Sequence, residues 1–398
     1  MKLYHRETGE RLEISFRTLE DRDTDGVIAC IRDEYGDTYF KRDFYNPKFI
    51  WDEHREGIIT FLVAVTDLEE VAGIMILKKF FPYESMIEIA TQIFKKKYRG
   101  YGLAEHMFDY GMKLLQEMPC SAVYSLPVTF HGISQRLLRM RGLIGCGFIF
   151  SVFDMEKIQQ SYGKRRNLKH SQGIQILAKD KTDAGTLYIP QEQRGFTGWL
   201  YKKLGVSFRL ADAGYGAGNG SDNAGDEDGR CRSGYAEDED GRCRSGYAGD
   251  EAGSCVHGYK ENQDISCQVM KTIDWVQSSA AITIYKTGDG LKAYLESVLE
   301  EYGSLPRFTL NVFLNVNDPG AVAAYYLLKE KGFFFAGYKP LCSENEYMVM
   351  HNPLEVPIIF KYYVLTEEFR DLIQYMEVFY EERQQRRGMG GRHDEDEA

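Results

Sequence analysis

The stretch from Ile87 to Leu115 reads IEIATQIFKKKYRGYGLAEHMFDYGMKLL, and it contains the features that decide the fold. Its beginning has the residue pattern of a strand over Ser85–Phe94, and Leu103–Glu117 repeats apolar residues at helical spacing. A basic segment with two glycines joins these two parts. The sequence therefore predicts a strand, a short loop and an amphipathic helix in direct succession.

The loop between the strand and the helix has the chemistry of an anion site. The first turn of a helix carries unpaired N–H donors, and the helix dipole favours negative charge there. Gly100, Gly102 and Ala104 leave the backbone open to a ligand, while Lys95–Lys97 and Arg99 add positive charge. These residues predict a site for a diphosphate.

The loop lacks both GxxxxGK[ST] and GxGxxG, the two common phosphate-binding patterns. Instead, Arg99-x-x-Gly102-x-Ala104 resembles the R/Q-x-x-G-x-G/A motif of the GCN5-related N-acetyltransferases, the GNAT superfamily. In that family the loop holds the pyrophosphate of acetyl-CoA. The resemblance extends over residues 12–155 and implies an acyl-CoA-dependent N-acetyltransferase, which passes the acetyl group directly to an amine without a metal or a covalent intermediate.

The resemblance also implies which residues contact acetyl-CoA. In the family, the strand before the loop diverges from its neighbour and accepts the pantetheine arm; here that strand ends at Phe94. The residues implied for CoA binding are Gln92, Ile93, Phe94, Arg99, Gly100, Tyr101, Gly102, Leu103, Ala104 and Ser134.

Glu88 is the candidate catalytic residue. It lies eleven residues before Arg99, at an offset similar to that of the glutamate in histone-acetylating members of the family. The resemblance implies a base that takes a proton from an ammonium substrate, and partial burial would raise the pKa of Glu88 to suit that role. The alternative is a glutamate that points to solvent from a strand.

The chain departs from the family at the tyrosine that protonates the leaving thiolate. Leu138 holds that position in the first half of the chain and Leu328 in the second. Either another group donates the proton, or CoA leaves as the thiolate, or catalysis is weak. The possible donors are Tyr98, Tyr101, Tyr124 and His131, although His131 is better interpreted as a cap for the following helix. A second function therefore stays open, a weak or inactive regulatory module that senses CoA or binds a protein partner.

Both halves of the chain end in a strand, a helix and another strand, which indicates a duplicated fold. We predict a GNAT acetyltransferase domain at 1–160 and a degenerate GNAT-like domain at 161–365, each a mixed, mostly antiparallel sheet flanked by helices, an α/β (α+β) architecture. In the second domain the loop lacks the arginine, and Asp289 would oppose a phosphate. A helix is predicted at 366–386 and a disordered tail at 387–398. A similar two-part arrangement occurs in acetyltransferase-like regions of some bacterial anti-sigma-kinase-type regulators.

Residues 211–262 interrupt the second domain with a composition rich in Gly, Asp, Glu and Ser. A twelve-residue repeat spaces four cysteines evenly, namely Cys231, Cys243, Cys255 and Cys267. Structural zinc sites bring their ligands in close pairs, which this spacing lacks. Because the repeat also has few aliphatic residues to bury, the composition favours a disordered insertion over a metal site. Cysteines elsewhere, including Cys120 and Cys146, are predicted to be reduced and in the core.

Aromatic residues are concentrated between Tyr35 and Trp51. The resemblance places this region beside the acceptor pocket, where an aromatic wall would suit an apolar or amine-bearing substrate. Packing in a core between the domains is the favoured alternative.

Composition limits the class of protein. The 398 residues carry a formal net charge of -11, and 43% of them are hydrophobic, which indicates two or three folded domains and disfavours a nucleic-acid partner. The N-terminal segment MKLYHRETGERLEISF lacks the apolar core of a signal peptide, and no apolar run reaches the ~20 residues of a membrane span. We expect a cytoplasmic protein whose substrate is a small-molecule or peptide amine, with the acceptor and the oligomeric state left open.

Overall fold

The computed structural model describes residues 1–39, 41–79, 85–154, 169–211, 256–258, 267–342 and 345–390. Most of the predicted insertion, with Cys231, Cys243 and Cys255, lies outside the described residues, as does the end of the predicted tail. Val256–Gly258 form a strand inside the predicted insertion, and the last helix continues to Gly390. At these positions the observed secondary structure differs from the predicted disorder.

The described residues form sixteen strands and eight α-helices. The strands are β1 (Lys2–Tyr4), β2 (Arg11–Thr18), β3 (Ile59–Thr66), β4 (Val71–Lys78), β5 (Met86–Phe94), β6 (Ala122–Ser125), β7 (Ile144–Asp154), β8 (Lys169–Ala178), β9 (Asp183–Leu187), β10 (Ser207–Leu210), β11 (Val256–Gly258), β12 (Gln268–Asp274), β13 (Ser279–Lys286), β14 (Thr309–Asn315), β15 (Phe334–Cys342) and β16 (Asn345–Asn352). The helices are α1 (Thr24–Tyr35), α2 (Pro47–Arg55), α3 (Leu103–Glu117), α4 (Ile133–Arg139), α5 (Arg194–Leu204), α6 (Leu291–Tyr302), α7 (Ala321–Glu330) and α8 (Glu367–Gly390). In the part of the chain that the structure describes, none of these helices combines the length and the apolar character that crossing a membrane requires.

Fourteen of the strands form one sheet in the order β1-β2-β3-β4-β5-β6-β8-β7-β15-β16-β14-β13-β12-β11. Most neighbouring pairs are antiparallel; β5 with β6 and β13 with β14 are parallel. Central strands such as β3 and β4 are almost continuously apolar, because helices cover one face and the other face is buried as well. The predicted architecture, a mixed and mostly antiparallel sheet flanked by helices, is confirmed.

The position of β8 in the sheet shows that the first half ends later in the chain than the sequence predicted. The sequence placed residues 169–178 in the second domain, beyond residue 160. In the structure β8 lies between β6 and β7 and pairs antiparallel with both. The strands of the first half therefore extend to Ala178, a result that chain order alone did not reveal.

Helix α3 is amphipathic because its apolar residues recur on the face that covers β3 and β4. Leu103, Met107 and Leu115 are buried on this face. At Gly111, a Cβ atom would lie 2.2 Å from the Cε atom of Met75, so glycine lets the helix approach the sheet closely. This contact fixes the start of α3 relative to the end of β5.

The two halves join where β7 and β15 pair antiparallel, through Gly147 and Gly337. A Cβ atom on Gly337 would lie 2.4 Å from the Cα atom of Gly147, and Gly337 has a φ of 113°. Only glycine fits this approach and this backbone conformation. Phe148 and Phe150 extend the contact into a continuous core that includes residues of α8 and the second half.

The aromatic segment between Tyr35 and Trp51 belongs to the core of the first half. Tyr39 and Phe44 are buried with residues of α1, α2 and β3, while the remaining described rings are partly buried around them. Core packing is thus the observed role, inside the first half rather than between the halves. Cys120 and Cys146 are buried free thiols, as predicted.

Candidate functional site

The loop between β5 and α3 adopts a conformation that requires its glycines. Gly100 has a φ of 89° and Gly102 a φ of 75°, both in the left-handed region that L side chains disfavour. Gly102 is also the residue immediately before the first turn of α3. The loop from Arg99 to Ala104, called the cradle below, therefore follows a backbone path that side chains at positions 100 and 102 would strain.

The backbone N–H groups of the cradle are available. Among the described residues, the amides of residues 100–104 donate to no backbone or side-chain acceptor. Leu103 and Ala104 form the first turn of a fifteen-residue helix, where the dipole adds positive potential. A cluster of unpaired N–H donors at this end of a helix is the arrangement that binds phosphate oxygens in proteins.

The cations around the cradle are held by carboxylates, which the sequence did not reveal. Arg99 forms an ion pair with Glu34 on α1. Lys95 and Lys97 contact Glu70 at 2.9 and 2.7 Å. Burial opposes ionisation of Glu70, but hydrogen bonds from Lys97, Tyr98 and Lys95 outweigh it and lower the pKa of Glu70 to about 2. A ligand phosphate would have to compete with these carboxylates for the positive charge.

The turn between β1 and β2 forms an additional wall of the cradle. The backbone N–H of Arg6 donates to the carbonyl of Gly100 at 3.0 Å. The guanidinium Nη2 of Arg6 donates to Glu105 at 2.8 Å and lies 3.1 Å from where a Cβ on Gly102 would be. The ring of His5 packs edge-on against Tyr101 with centroids 5.0 Å apart. These contacts span about a hundred residues of chain, and no local motif signals them.

We expect Glu105→Gln to raise the affinity for CoA about threefold, because the substitution removes an anion that competes for Arg6 and for the start of α3. Isothermal titration calorimetry with CoA at low salt measures the effect. Glu13→Gln is the matched control, since Glu13 pairs with Arg11 on the same hairpin away from the cradle. Equal affinities of the Glu105→Gln variant and the unaltered protein would show that Glu105 does not compete with the ligand.

A notch opens in the sheet next to the cradle. Strands β5 and β6 pair over only three residue pairs, from Met86–Ala122 to Glu88–Tyr124. Beyond this point β5 stays paired with β4 up to Phe94, whereas the chain after β6 follows β8. We call the gap between Ile89–Phe94 and residues 126–128 the notch. It begins next to the Glu88–Tyr124 pair and follows β5 towards Phe94, the last strand residue before the cradle.

Residues at the end of β5 shape the notch but do not all face it. Gln92 donates through Nε2 to the carbonyl of Ala104 at 3.2 Å and so ties the strand to α3. Thr91, at a bulge with a φ of 32°, shares a hydrogen bond of 2.9 Å with Tyr39. Ile93 is buried in the core under α1 and α2. The sequence placed Gln92, Ile93 and Phe94 together as CoA contacts, and a strand necessarily sends alternate side chains to opposite faces.

Glu88 is buried at the closed end of the notch, not exposed on a strand. Its Oε2 atom lies 3.0 Å from Nζ of Lys78 and accepts a hydrogen bond of 3.0 Å from the hydroxyl of Tyr124. Burial works against the carboxylate, but the charges of Lys78 and Lys41 outweigh it, and the pKa of Glu88 is lowered. The expected rise in the pKa of Glu88 is therefore wrong, because its cationic partners lie on other elements.

The side chains around α4 do not replace the missing tyrosine. Leu138 is buried in the core beneath α3. The hydroxyl of Ser134 is buried without a hydrogen-bond partner among the described residues. His131 is half-buried, and burial lowers its pKa. A proton donor, if the site needs one, has to come from another element.

Among the residues that the structure describes, the second half has neither a gap like the notch nor a loop whose N–H donors are all unpaired. Strands β13 and β14 stay paired over six residue pairs, from Ser279–Thr309 to Ile284–Leu314. The carboxylate of Asp318 accepts from the backbone N–H of Thr287 at 2.8 Å and from its hydroxyl. The N–H of Leu291, at the start of α6, donates to Gly288 at 3.0 Å. An internal carboxylate and a carbonyl thus occupy two of the N–H donors of this loop, those of Thr287 and Leu291.

Comparison with known proteins gives matches among solved structures only: no family model matches the chain, and no curated protein matches it significantly. An N-acetyltransferase from Staphylococcus aureus Mu50 is 12% identical, covers 42% of this chain and 98% of its own, and has a TM-score of 0.35. A GNAT family N-acetyltransferase from Escherichia coli in complex with CoA is 20% identical, with 42% and 83% covered and a TM-score of 0.28. A GNAT superfamily phosphinothricin acetyltransferase from Sinorhizobium meliloti in complex with AcCoA is 12% identical, with 42% and 89% covered and a TM-score of 0.34. These matches are GNAT N-acetyltransferases, the superfamily that the cradle motif resembles; because the TM-scores are low, we base the function on the geometry of the cradle and the notch.

Proposed function

We propose that this protein is an acyl-CoA-dependent N-acyltransferase that transfers the acetyl group of acetyl-CoA to an amine. The observation that carries the proposal is the position of the cradle, with its unpaired amides, shortly after β5, the strand that borders the notch. A diphosphate at residues 100–104 would direct an extended thioester arm along β5 into the sheet. Arg99 would add charge after exchanging Glu34 for a phosphate.

In the proposed reaction the amine attacks the thioester carbonyl directly, so no cysteine nucleophile takes part. Glu88 stays ionised at neutral pH, since its pKa is lowered. It therefore accepts a proton only after attack, when the nitrogen of the tetrahedral intermediate has become strongly acidic. Its burial beside Lys78 keeps the carboxylate in place for this transfer.

Titration with acetyl-CoA in a thermal-shift assay tests the proposal, because a ligand that binds the native state raises its apparent stability. The cradle predicts stabilisation at millimolar ligand, and no stabilisation would overturn the proposal. Release of free CoA thiol is then measured across a panel of amines that includes polyamines, amino acids and peptides.

A module that binds CoA without turnover is the second candidate function. The observations that favour it are the aliphatic Leu138 at the tyrosine position and the ion pair that holds Glu88. Stabilisation by acetyl-CoA without thiol release for any amine would support this second candidate over the enzyme.

The proposal predicts one CoA per chain. In the part of the second half that the structure describes, Asp318 binds the corresponding loop and β13 and β14 remain paired, so we expect no second site there. Isothermal titration calorimetry of the full chain with CoA should give a stoichiometry near one. Two sites of similar affinity would contradict the degenerate role that we assign to the second half.

A further inference from the structure

The residue pair Glu88–Tyr124 occupies a special place, the last pair of the parallel ladder before the notch opens. From Glu88 to Phe94 the strand takes six residue steps, which span about 20 Å at the usual rise. An extended pantetheine arm covers most of such a length. If its phosphates lie in the cradle, the sulfur of CoA comes to the closed end of the notch, next to this pair.

A buried group of charged and hydrogen-bonding side chains surrounds that end. The hydroxyl of Tyr124 donates to Glu88 at 3.0 Å, and Lys78 contacts the same oxygen at 3.0 Å. The ammonium of Lys339, on β15 in the second half, lies 4.4 Å from the centroid of the Tyr124 ring. Tyr124 is 0% exposed, Glu88 7% and Lys339 3%, so this group is shielded from solvent.

We propose that Tyr124 is the proton donor to the departing CoA sulfur, and that Lys339 completes the site from the second half. This inference rests on the proposed function. The hydroxyl of Tyr124 is the O–H group that the described structure places at the last pair of the ladder, while Leu138, at the family position, has no proton to give.

The proposed step joins the amine to the acetyl group and releases the CoA thiol. The amine nitrogen forms a bond to the acetyl carbon, and the carbonyl π electrons move to oxygen. Collapse of this intermediate breaks the C–S bond, and the O–H proton of Tyr124 goes to the sulfur. The nitrogen loses its proton to Glu88, which returns it to the phenolate of Tyr124 across their hydrogen bond. The products are the amide and the CoA thiol, and the side chains regain their starting protonation.

Lys339 favours this step because a cation over the face of the ring stabilises a developing phenolate. Burial lowers the pKa of Lys339 to about 8, so the ammonium form still predominates at neutral pH. The other charged groups that act here are Lys78 from β4 and Lys41 from the segment before α2, both of which act on Glu88. The second half thus supplies a charge to the first instead of a second active site.

The pKa of the CoA thiol, measured on the protein by the ultraviolet absorbance of the thiolate, tests this inference without knowledge of the acceptor. Tyr124→Phe should raise the pKa of the bound CoA thiol by roughly one pH unit, because the CoA thiolate loses the Tyr124 hydroxyl as its hydrogen-bond donor. Lys339→Met should also raise it, through the loss of a nearby positive charge. Glu88→Gln should lower it, since the anion beside the sulfur disappears.

Tyr338→Phe is the matched control, because Tyr338 precedes Lys339 in the chain. The substitution removes a buried hydroxyl that shares a hydrogen bond with Thr197. It should leave the thiol pKa unchanged. Unchanged pKa values in Tyr124→Phe and Lys339→Met, with CoA bound, would overturn the inference and leave the proposed function intact. If Tyr124→Phe does not fold, Lys339→Met decides, and a thiol pKa that does not rise overturns the inference. Absence of CoA binding by the unaltered protein would overturn the proposed function itself.

Discussion

Gly102→Glu should lower the affinity for CoA by a factor on the order of 100, since a like charge beside a phosphate costs several kcal/mol. Gly102 has a φ of 75°, and its Cβ would point towards the guanidinium of Arg6, 3.1 Å away. The new carboxylate would therefore pair with Arg6 and occupy the opening to the amides of Leu103 and Ala104. Isothermal titration calorimetry of CoA binding measures the loss.

Gly57→Glu provides the matched control for backbone strain. Gly57 has a φ of 73° and nothing within 4 Å of its Cβ position, so the substitution carries similar conformational strain away from the cradle. Both variants should lose about 1–2 kcal/mol of stability, but only Gly102→Glu should lose CoA. A Gly102→Glu variant that folds and retains its affinity would refute the assignment of the cradle.

Gly337→Val should produce the largest loss of stability, about 3 kcal/mol or more, because it combines overpacking with a forbidden backbone conformation. A Cβ at this position would lie 2.5 Å from the carbonyl oxygen of Cys146 and 2.4 Å from Gly147. β15 would have to move away from β7, and the two halves would lose their shared strand pairing. Urea denaturation followed by fluorescence should show a lower midpoint and separate transitions for the halves.

Gly205→Val is the control for this prediction. Gly205 follows α5 in the second half with a φ of 70° and open space around its Cβ position. It should cost only the strain of the left-handed conformation, about 1–2 kcal/mol. If both variants lose the same stability with a single transition, the pairing of β7 and β15 does not hold the halves together.

Local sequence patterns predicted the individual elements well. Helix α3 has the predicted bounds, Leu103–Glu117, because its apolar spacing and the glycine before it define them. Helix α2 was missed. Its sequence, PKFIWDEHR, lies in an aromatic segment whose rings obscure the helical period. Propensity and spacing therefore identify an element best when its apolar residues lie on one face.

Long-range pairing was not predictable in the same way. The insertion of β8 between β6 and β7 reverses the order of the chain, and nothing in residues 169–178 indicates which neighbours they choose. In the site, the motif located the cradle, since its glycines are local features. The sequence did not reveal that Lys339 lies near Glu88 and Tyr124. Lys339 is 251 positions from Glu88 and reaches the site only through the pairing of β7 and β15.

The ends of the large sheet bear on how the protein behaves at high concentration. In the part of the chain that the structure describes, the outermost strands, β1 and β11, have only three residues each. Each of them covers only three residues of the next strand, 11–13 of β2 and 271–273 of β12, so the outer edge of the rest of β2 and β12 has no strand partner among the described residues. We therefore expect any addition of a strand from another molecule to start along β2 or β12, because the long central strands are enclosed on both sides by their own neighbours.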